Sequence, residues 1–447
     1  MTASEPEPAQ KRALPQATAF WLLAVVLTLS LFAATAPSPL YRVYEAQLRF
    51  SAATLTAVFA VYAIAVLITL LMFGTLSDYL GRKPVIVVAL AVNMGACALF
   101  LNAHDVGLLF AGRVLQGIAV GAATGALGAA LIDLQSAGSS LAPVVNSAAT
   151  SMGLAAGALG TSVLVQYAPA PTHLVWWLLL GGLAAAIAGV LMIPESATRR
   201  SGVLTSLRPR VIIPAAVRGT FALAVPCLFA VWALGGLYLS LGPSLAAQVV
   251  HSTSDLWGGL VIFLLTGIGA ASAIAFRHMN PPTAMLAGCL FLLAGAAATF
   301  AAIATTTAAA FLVGTAVAGV GFGVAFLGAF RTVAALAGPT DRAGLVAAIY
   351  TVNYLGFSIP ALIAGEAVTR YGLRPTALVY CVVIAALVAV AAGSLIVRRR
   401  HLAHVPGSAA AEVDLPPGPC TVPPSVCRSG LARSLDRPRT QGGSPSR

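Results

Sequence analysis

The chain has 447 residues, 59% of them hydrophobic and only 9% charged, with a formal net charge of +12. Soluble domains carry about a quarter charged residues, so this composition excludes an ordinary water-soluble core. The basic residues are sorted by loop, as set out below, which argues for membrane topology and against a nucleic-acid partner.

Apolar runs long enough to cross a bilayer recur along nearly the whole chain. About 20 residues at about 1.5 Å rise cross a hydrocarbon layer of about 30 Å. Twelve such runs fall at 18–38, 53–73, 85–103, 106–134, 143–165, 172–193, 219–240, 255–276, 284–303, 307–330, 344–367 and 373–397. The alternating segments of a β-barrel are absent. The expected fold class is an all-α polytopic membrane protein, with twelve transmembrane helices in two six-helix, pseudo-symmetric halves.

The order of parts follows from the connections, which are short except in the middle. Residues 1–16 form a polar tail, 17–193 the first half, 194–218 a linker, 219–400 the second half, and 401–447 a tail rich in Pro, Ser, Gly and Arg. Both tails read as disordered. The first span ends in Pro37-Ser38-Pro39-Leu40 and the seventh in Pro243-Ser244-Leu245, a faint sign of the internal duplication found in transporters. With an inside N-terminus, the interior loops and tails hold Lys11, Arg12, Arg82, Lys83, Arg199, Arg200, Arg208, Arg210, Arg218, Arg277, Arg331, Arg342 and Arg398 to Arg400. The outside loops hold only Arg42, Arg49, Arg370 and Arg374. This asymmetry predicts a multi-pass protein of the cell's inner or plasma membrane with both termini cytoplasmic.

Between the second and third spans lies GTLSDYLGRKP, Gly74 to Pro84. Arg82 and Lys83 obey the positive-inside rule, but Asp78 is not required by it. Gly74 lets another helix approach a helix end. Asp78, four residues before Arg82, can pair with it or face the positive N-terminus of a neighbouring helix. The fourth span contains LFAGRVLQGIAVG, which carries Arg113, Gln116 and Gly117. An arginine in hydrocarbon costs a few kcal/mol at least, so Arg113 must face protein or a water-filled cavity. It can serve transport there, or simply bond a neighbouring span's carbonyls.

These two elements resemble the major facilitator superfamily, whose turn between spans two and three runs Gly, Leu, Asp, Gly, Arg, Lys/Arg at the spacing of Gly74, Leu76, Asp78, Gly81, Arg82 and Lys83. Arg113, Gln116 and Gly117 match its Arg-x-x-Gln-Gly element. The resemblance, which extends over roughly residues 18–400, implies a cytoplasmic latch that holds the two halves together when the transporter faces outward. It implies that Asp133, at the cytoplasmic end of the fourth span, pairs with Arg82; otherwise Asp133 is an interfacial charge.

The pattern departs from the family in three places. In the fifth span, GLAAGALG has Ala158 where the antiporter element has Pro, while Gly153 and Gly157 still permit close packing. The second-half turn FRHMNPPTAM, 276–285, has no acid, so its latch reads as decayed. No carboxylate lies in the first span, 18–38, or in the middle of any other. Coupling then falls to Arg113, Asp133 or Glu366 in a less direct way. Candidates for a cavity between the halves are Tyr62, Trp232, Tyr238, Asn353 and Tyr354, each of which can equally be packing. Pro360 can kink the eleventh span.

The six cysteines show no metal or redox spacing, and no GxxxxGK[ST] loop is present to take ATP. Neither metal nor cofactor is expected. A membrane-embedded enzyme would need a nucleophile with its base, or paired carboxylates, and a channel has no use for a latch. The reading is a secondary transporter, not an enzyme, acting by alternating access as a monomer in lipid. By resemblance to the efflux branch it exports small amphipathic or neutral compounds as an antiporter driven by protons. The alternative is a sugar or metabolite facilitator or importer of the same fold.

Overall fold

The computed structural model describes residues 14–74, 76–136, 141–196, 211, 213–336 and 342–403. Its helices are α1 (Gln16–Thr35), α2 (Pro37–Leu48), α3 (Ala52–Phe73), α4 (Leu76–Leu80), α5 (Arg82–Leu101), α6 (Val106–Leu134), α7 (Leu141–Tyr167), α8 (Pro171–Leu191), α9 (Arg218–Ser240), α10 (Gly242–Val250), α11 (Leu256–Ala275), α12 (Pro281–Thr305), α13 (Ala308–Ala334), α14 (Arg342–Tyr371) and α15 (Leu373–Ala403). Twelve stretches of the described residues are long and apolar enough to cross a membrane. The expected tails and linker lie mostly outside the described residues, as do Cys420 and Cys427.

Local chemistry explains where the helices begin and end. Ser51 starts α3 by accepting a hydrogen bond from Thr54 N at 3.2 Å, and Asp105 starts α6 by accepting from Leu108 N at 3.0 Å. Each satisfies one of the N–H groups a helix start leaves free. The first span is longer than its apolar run suggests. Past Thr35 the backbone stays nearly helical at Ala36, and α2 carries the chain on to Leu48, bringing Glu45 into the extended span. Hydropathy misses α2 because Arg42 and Glu45 dilute it. The seventh span repeats this design, since α9 is followed by the short α10 with Pro243 in its first turn. Both short helices end in a left-handed residue, Arg49 (φ 52°) and His251 (φ 53°).

Many outward side chains are apolar and exposed, among them Val25 (62%), Trp177 (61%) and Ile363 (65%). Hydrocarbon, not water, is the medium that suits them. Lipid gives helices no hydrophobic reason to associate, so close packing of small residues must hold them together. The α12–α13 pair shows this best. A Cβ added at Gly295 or Gly321 would stand 2.5 Å from the backbone nitrogen of Ala318 or Leu292, and Gly288 and Gly328 lie equally tight on Ala325 and Met285. In the first six spans α1 packs on α6, α7 and α8, and α6 lies on α3 and α5; in the last six α13 lies on α9, α11 and α12. The two sets meet where α3 packs on α14 and α7 on α11.

Replacing Gly321 with Val should therefore lower the thermal stability of the purified protein by about 1–3 kcal/mol, the usual cost of overpacking. Gly393→Ala, where a Cβ meets nothing within 4 Å, should leave the melting temperature unchanged or slightly raised.

Candidate functional site

Three groups of polar contacts stand out. The first is at the end of the bundle that carries α4, here called the motif end. Gly81 has φ 98°, a conformation only glycine adopts without strain, and a Cβ there would also collide with the Glu195 carboxylate. The turn that follows starts α5. Glu195 accepts from the backbone N–H groups of Arg82 (2.8 Å) and Lys83 (3.1 Å), placing a carboxylate on the positive start of that helix. The Arg82 side chain pairs with Asp78, donates to Ser77 Oγ at 2.7 Å, and meets Asp133 Oδ2 from Nε at 3.0 Å. Lys83 Nζ donates to the carbonyls of Leu191 and Ile193, where α8 ends. Gly74 faces Gly125 of α6, so the ends of α3 and α6 lie close.

The structure thus brings Asp78, Arg82, Lys83 and Asp133 together and adds Glu195, which sequence reasoning missed. The signal was an acid two residues past the end of the sixth apolar run, ahead of Arg199 and Arg200. All of these contacts join parts of the first six spans. Among the described residues, no hydrogen bond or ion pair carries the cluster across to the last six. In the second set Arg331 donates instead to the carbonyls of Arg277 (2.7 Å) and Met279 (3.2 Å).

The second group surrounds Arg113, which is fully buried in α6. Pro37 has no N–H to offer the carbonyl of Ala33, four residues back, and Gln116 Nε2 donates to that carbonyl at 2.8 Å. Arg113 Nη1 donates to Ala34 O (2.8 Å) and to Gln116 Oε1 (2.7 Å), and Nε donates to the Tyr41 hydroxyl (2.6 Å). Its guanidinium carbon lies 4.8–5.3 Å from the ring centres of Tyr41, Phe59 and Tyr62. Hydrogen bonds to a charged group are worth about 1.5–3 kcal/mol each and ring contacts about 0.5–2 kcal/mol. Together they offset a desolvation cost of several kcal/mol. The remaining nitrogen, Nη2, has no partner. Gly117 completes the arrangement by letting α6 touch the backbone of α3 at Tyr62 and Val66.

The second set holds an aromatic cluster of its own. Trp232 of α9 lies 5.8 Å from Tyr354, 6.2 Å from Phe322, 6.0 Å from Phe326 and 6.3 Å from Phe357. Trp232 Nε1 and both polar atoms of the buried Asn353 side chain have no partner. Two expected site residues fall elsewhere. Tyr238 is packed within the second set, stacked on Phe311 with its hydroxyl shared between Thr299 and Thr315, so it does not line a space between the sets. Glu366 is half exposed at the end of α14 and pairs with Arg370 one turn on, which removes it from any interior coupling path. Gly153 and Gly157 do serve packing. A Cβ at either would strike α1, at Thr28 and Leu31 or at Phe32 and Thr35.

The third group holds the two sets together at the end opposite the motif. Arg42 of α2 pairs with Asp255 at 3.0 Å. Gln166 Oε1 accepts from Ser254 Oγ and Asp255 N, each at 3.0 Å, and Ala53 N donates to Thr369 Oγ1 at 3.3 Å. Gly259 lies against Ala158 and Ser162, and Gly365 against Ala52 and Thr56. Ala158, the residue that departs from the antiporter pattern, is part of this crossing.

A profile of the Major Facilitator Superfamily matches residues 21–361. No curated protein matches the chain in sequence. Two solved structures of the nucleoside transporter NupG, one of them a point variant, are similar with TM-scores of 0.67 (the variant) and 0.62, each at 14% identity and covering 85% of this chain and 99% of theirs. The human organic anion transporter MFSD10 (TETRAN) is similar with a TM-score of 0.60 at 18% identity, covering 85% of this chain and all of its own.

The Arg113 geometry separates two neighbouring tyrosines. Tyr41→Phe removes the acceptor for Nε and should cost about 1.5–3 kcal/mol of stability. Tyr62→Phe, which keeps the ring over the guanidinium, should change stability by less than about 0.5 kcal/mol. Thermal unfolding of both variants in the same detergent checks this.

Proposed function

Because the chain belongs to the major facilitator superfamily, we propose that it is a secondary transporter that rocks its first six spans against its last six. The observation that carries this reading is the one-sided placement of contacts: among the described residues, the polar bonds between the two sets lie at the end opposite the motif. With the sense of insertion read from the basic loops, that end is outside and both termini are cytoplasmic. The structure is then the inward-facing state, closed outside. In this reading Asp78, Arg82, Lys83, Asp133 and Glu195 form one half of a latch, assembled and waiting for the second set to swing onto it.

The cargo of this proposal is a small amphipathic compound, moved outward through a plasma or inner membrane by a monomer at the expense of the proton gradient. One observation favours the facilitator alternative. Among the described residues the acids Glu45, Asp78, Asp105, Asp133, Glu195, Asp255 and Glu366 all lie near helix termini, so the span interiors offer a proton no carboxylate to ride on.

The deciding experiment is accumulation of a panel of compounds, including fluorescent amphipaths, a nucleoside, a sugar and an organic anion, in cells expressing the protein, with and without a protonophore. Export predicts that some compound is held low only while the gradient persists. Faster equilibration of a compound regardless of the gradient would replace export with facilitation. The latch has its own test. In this reading Asp78 gains a further contact, worth about 1 kcal/mol, when the second set swings onto it, so Asp78→Asn should lower the ratio of outward- to inward-facing protein about fivefold. Labelling of cysteines introduced at the motif end should rise accordingly; unchanged labelling would remove Asp78 from the latch.

A further inference from the structure

We propose that the transported compound is an aromatic organic anion, recognised by the free edge of Arg113 and by the aromatic cluster around Trp232. The inference rests on the transporter reading and narrows its substrate class.

Three observations lead to it. First, Arg113 is a fixed positive charge with no carboxylate beside it. Its partners are a phenol, a carbonyl and an amide oxygen, all formally neutral, and Nη2 has no partner while fully enclosed. Buried polar nitrogens are nearly always bonded, so an exception marks a place for water, an ion or a functional contact. With Nε and both Nη1 hydrogens in use, the two N–H groups of Nη2 are left, and each can donate a charge-assisted hydrogen bond to a carboxylate, sulfonate or phosphate oxygen.

Second, the unpartnered groups nearby are rich in donors. Trp232 offers one N–H and Asn353 two, against a single amide oxygen as acceptor. A compound rich in acceptor oxygens fits this set, and a cation finds no negative charge in it. Third, both groups are surrounded by rings. Tyr62 of α3 covers the guanidinium at 5.0 Å. Helix α3 packs on α14, where Tyr354 lies 5.8 Å from Trp232 and 6.4 Å from Tyr350. Flat rings stack well in such surroundings. Tyr62 is one of the three rings over the guanidinium, and it shares with Phe59 the helix that packs on α14 of the second set.

The test uses the purified full-length protein and an isosteric pair, 2-naphthalenesulfonate and 2-naphthalenesulfonamide, with sulfate as the inorganic anion. Binding is read from the thermal shift, and movement from counterflow in liposomes with a panel that includes neutral and cationic solutes. The sulfonate should bind at least about tenfold more tightly than the sulfonamide, the weight of one charge-assisted contact, and Arg113→Gln should abolish that preference. Trp232→Phe, which keeps a ring but removes the N–H, should weaken sulfonate binding; it serves where the arginine variant does not fold.

Equal binding of the two naphthalenes, or a preference that survives in folded Arg113→Gln, overturns the proposal. Stabilisation by sulfate equal to that by the sulfonate overturns its aromatic part. If neutral or cationic solutes undergo counterflow while the sulfonate neither binds nor moves, the transporter stands and the anion inference falls. If the sulfonate binds through Arg113 but nothing in the panel moves, the site stands and the transporter reading falls. If nothing binds or moves, both fall.

Discussion

Hydrocarbon offers no hydrogen-bond partners, and the rest of the structure follows from that constraint. Each backbone N–H and C=O inside the layer has to be satisfied within the protein, which selects helices as the spanning form. It also makes every interruption of a helix a demand for a substitute partner. Pro37 is such an interruption, and the side chain of Gln116 answers the carbonyl it leaves open. The Arg-x-x-Gln-Gly element and the proline pair of the first span are therefore one structural device, divided between α6 and the junction of α1 with α2. Gly117 belongs to it because the device works only if α6 sits close on α3.

The same constraint sorts the charges. Acids and bases gather at the helix termini, where water and headgroups solvate them, and where the start of α5 and the end of α8 offer backbone groups as partners. Arg113 is the exception, held by rings, carbonyls and a phenol in place of an acid. A neutralising carboxylate would have been the simpler way to keep the charge, but it would also have consumed the positive potential. Leaving Arg113 without an acid keeps that potential available to whatever enters from the second set.

Much of this was legible in the sequence, and the reasons for success and failure are physical. Twelve spans could be read because lipid exposure forces long apolar runs, and α6 could be bounded closely because Asp105 is both a break in hydropathy and a cap. The turn at 74–84 was legible because Asp78 stands four residues before Arg82 and the spacing resembles the family's signature, whereas the left-handed backbone of Gly81 shows only in the structure. The extension of the first span to Leu48 was not, since Arg42 and Glu45 look like loop residues until α2 is seen to continue α1. Tyr238 was placed in the cavity because which face a residue presents inside a bundle depends on neighbours distant in sequence, and hydropathy carries no record of them. Ala158 was read only as a lost proline, whereas its place is a contact with Gly259 on another span.

The contacts between the two sets differ in kind from those within them, and this difference is what a moving protein requires. Within a set, glycines let helices touch backbone to backbone, as in α12 and α13, and such surfaces have no second arrangement of similar energy. Between the sets, the polar bonds are few and lie near water. The side chains of Arg42 and Asp255 are each about a quarter exposed, and ion pairs so placed contribute about 0–1 kcal/mol. Glycine also brings helices together across the seam, at Gly259 against Ala158 and Ser162 and at Gly365 against Ala52 and Thr56. A ligand shifts the balance between open and closed seams only by its difference in affinity for the two states. In the proposed cycle, then, rigidity belongs to each set of six spans and reversibility to the seam. A solute bound at that seam, touching Arg113 on one side and Trp232 on the other, is placed where its binding energy acts on that balance.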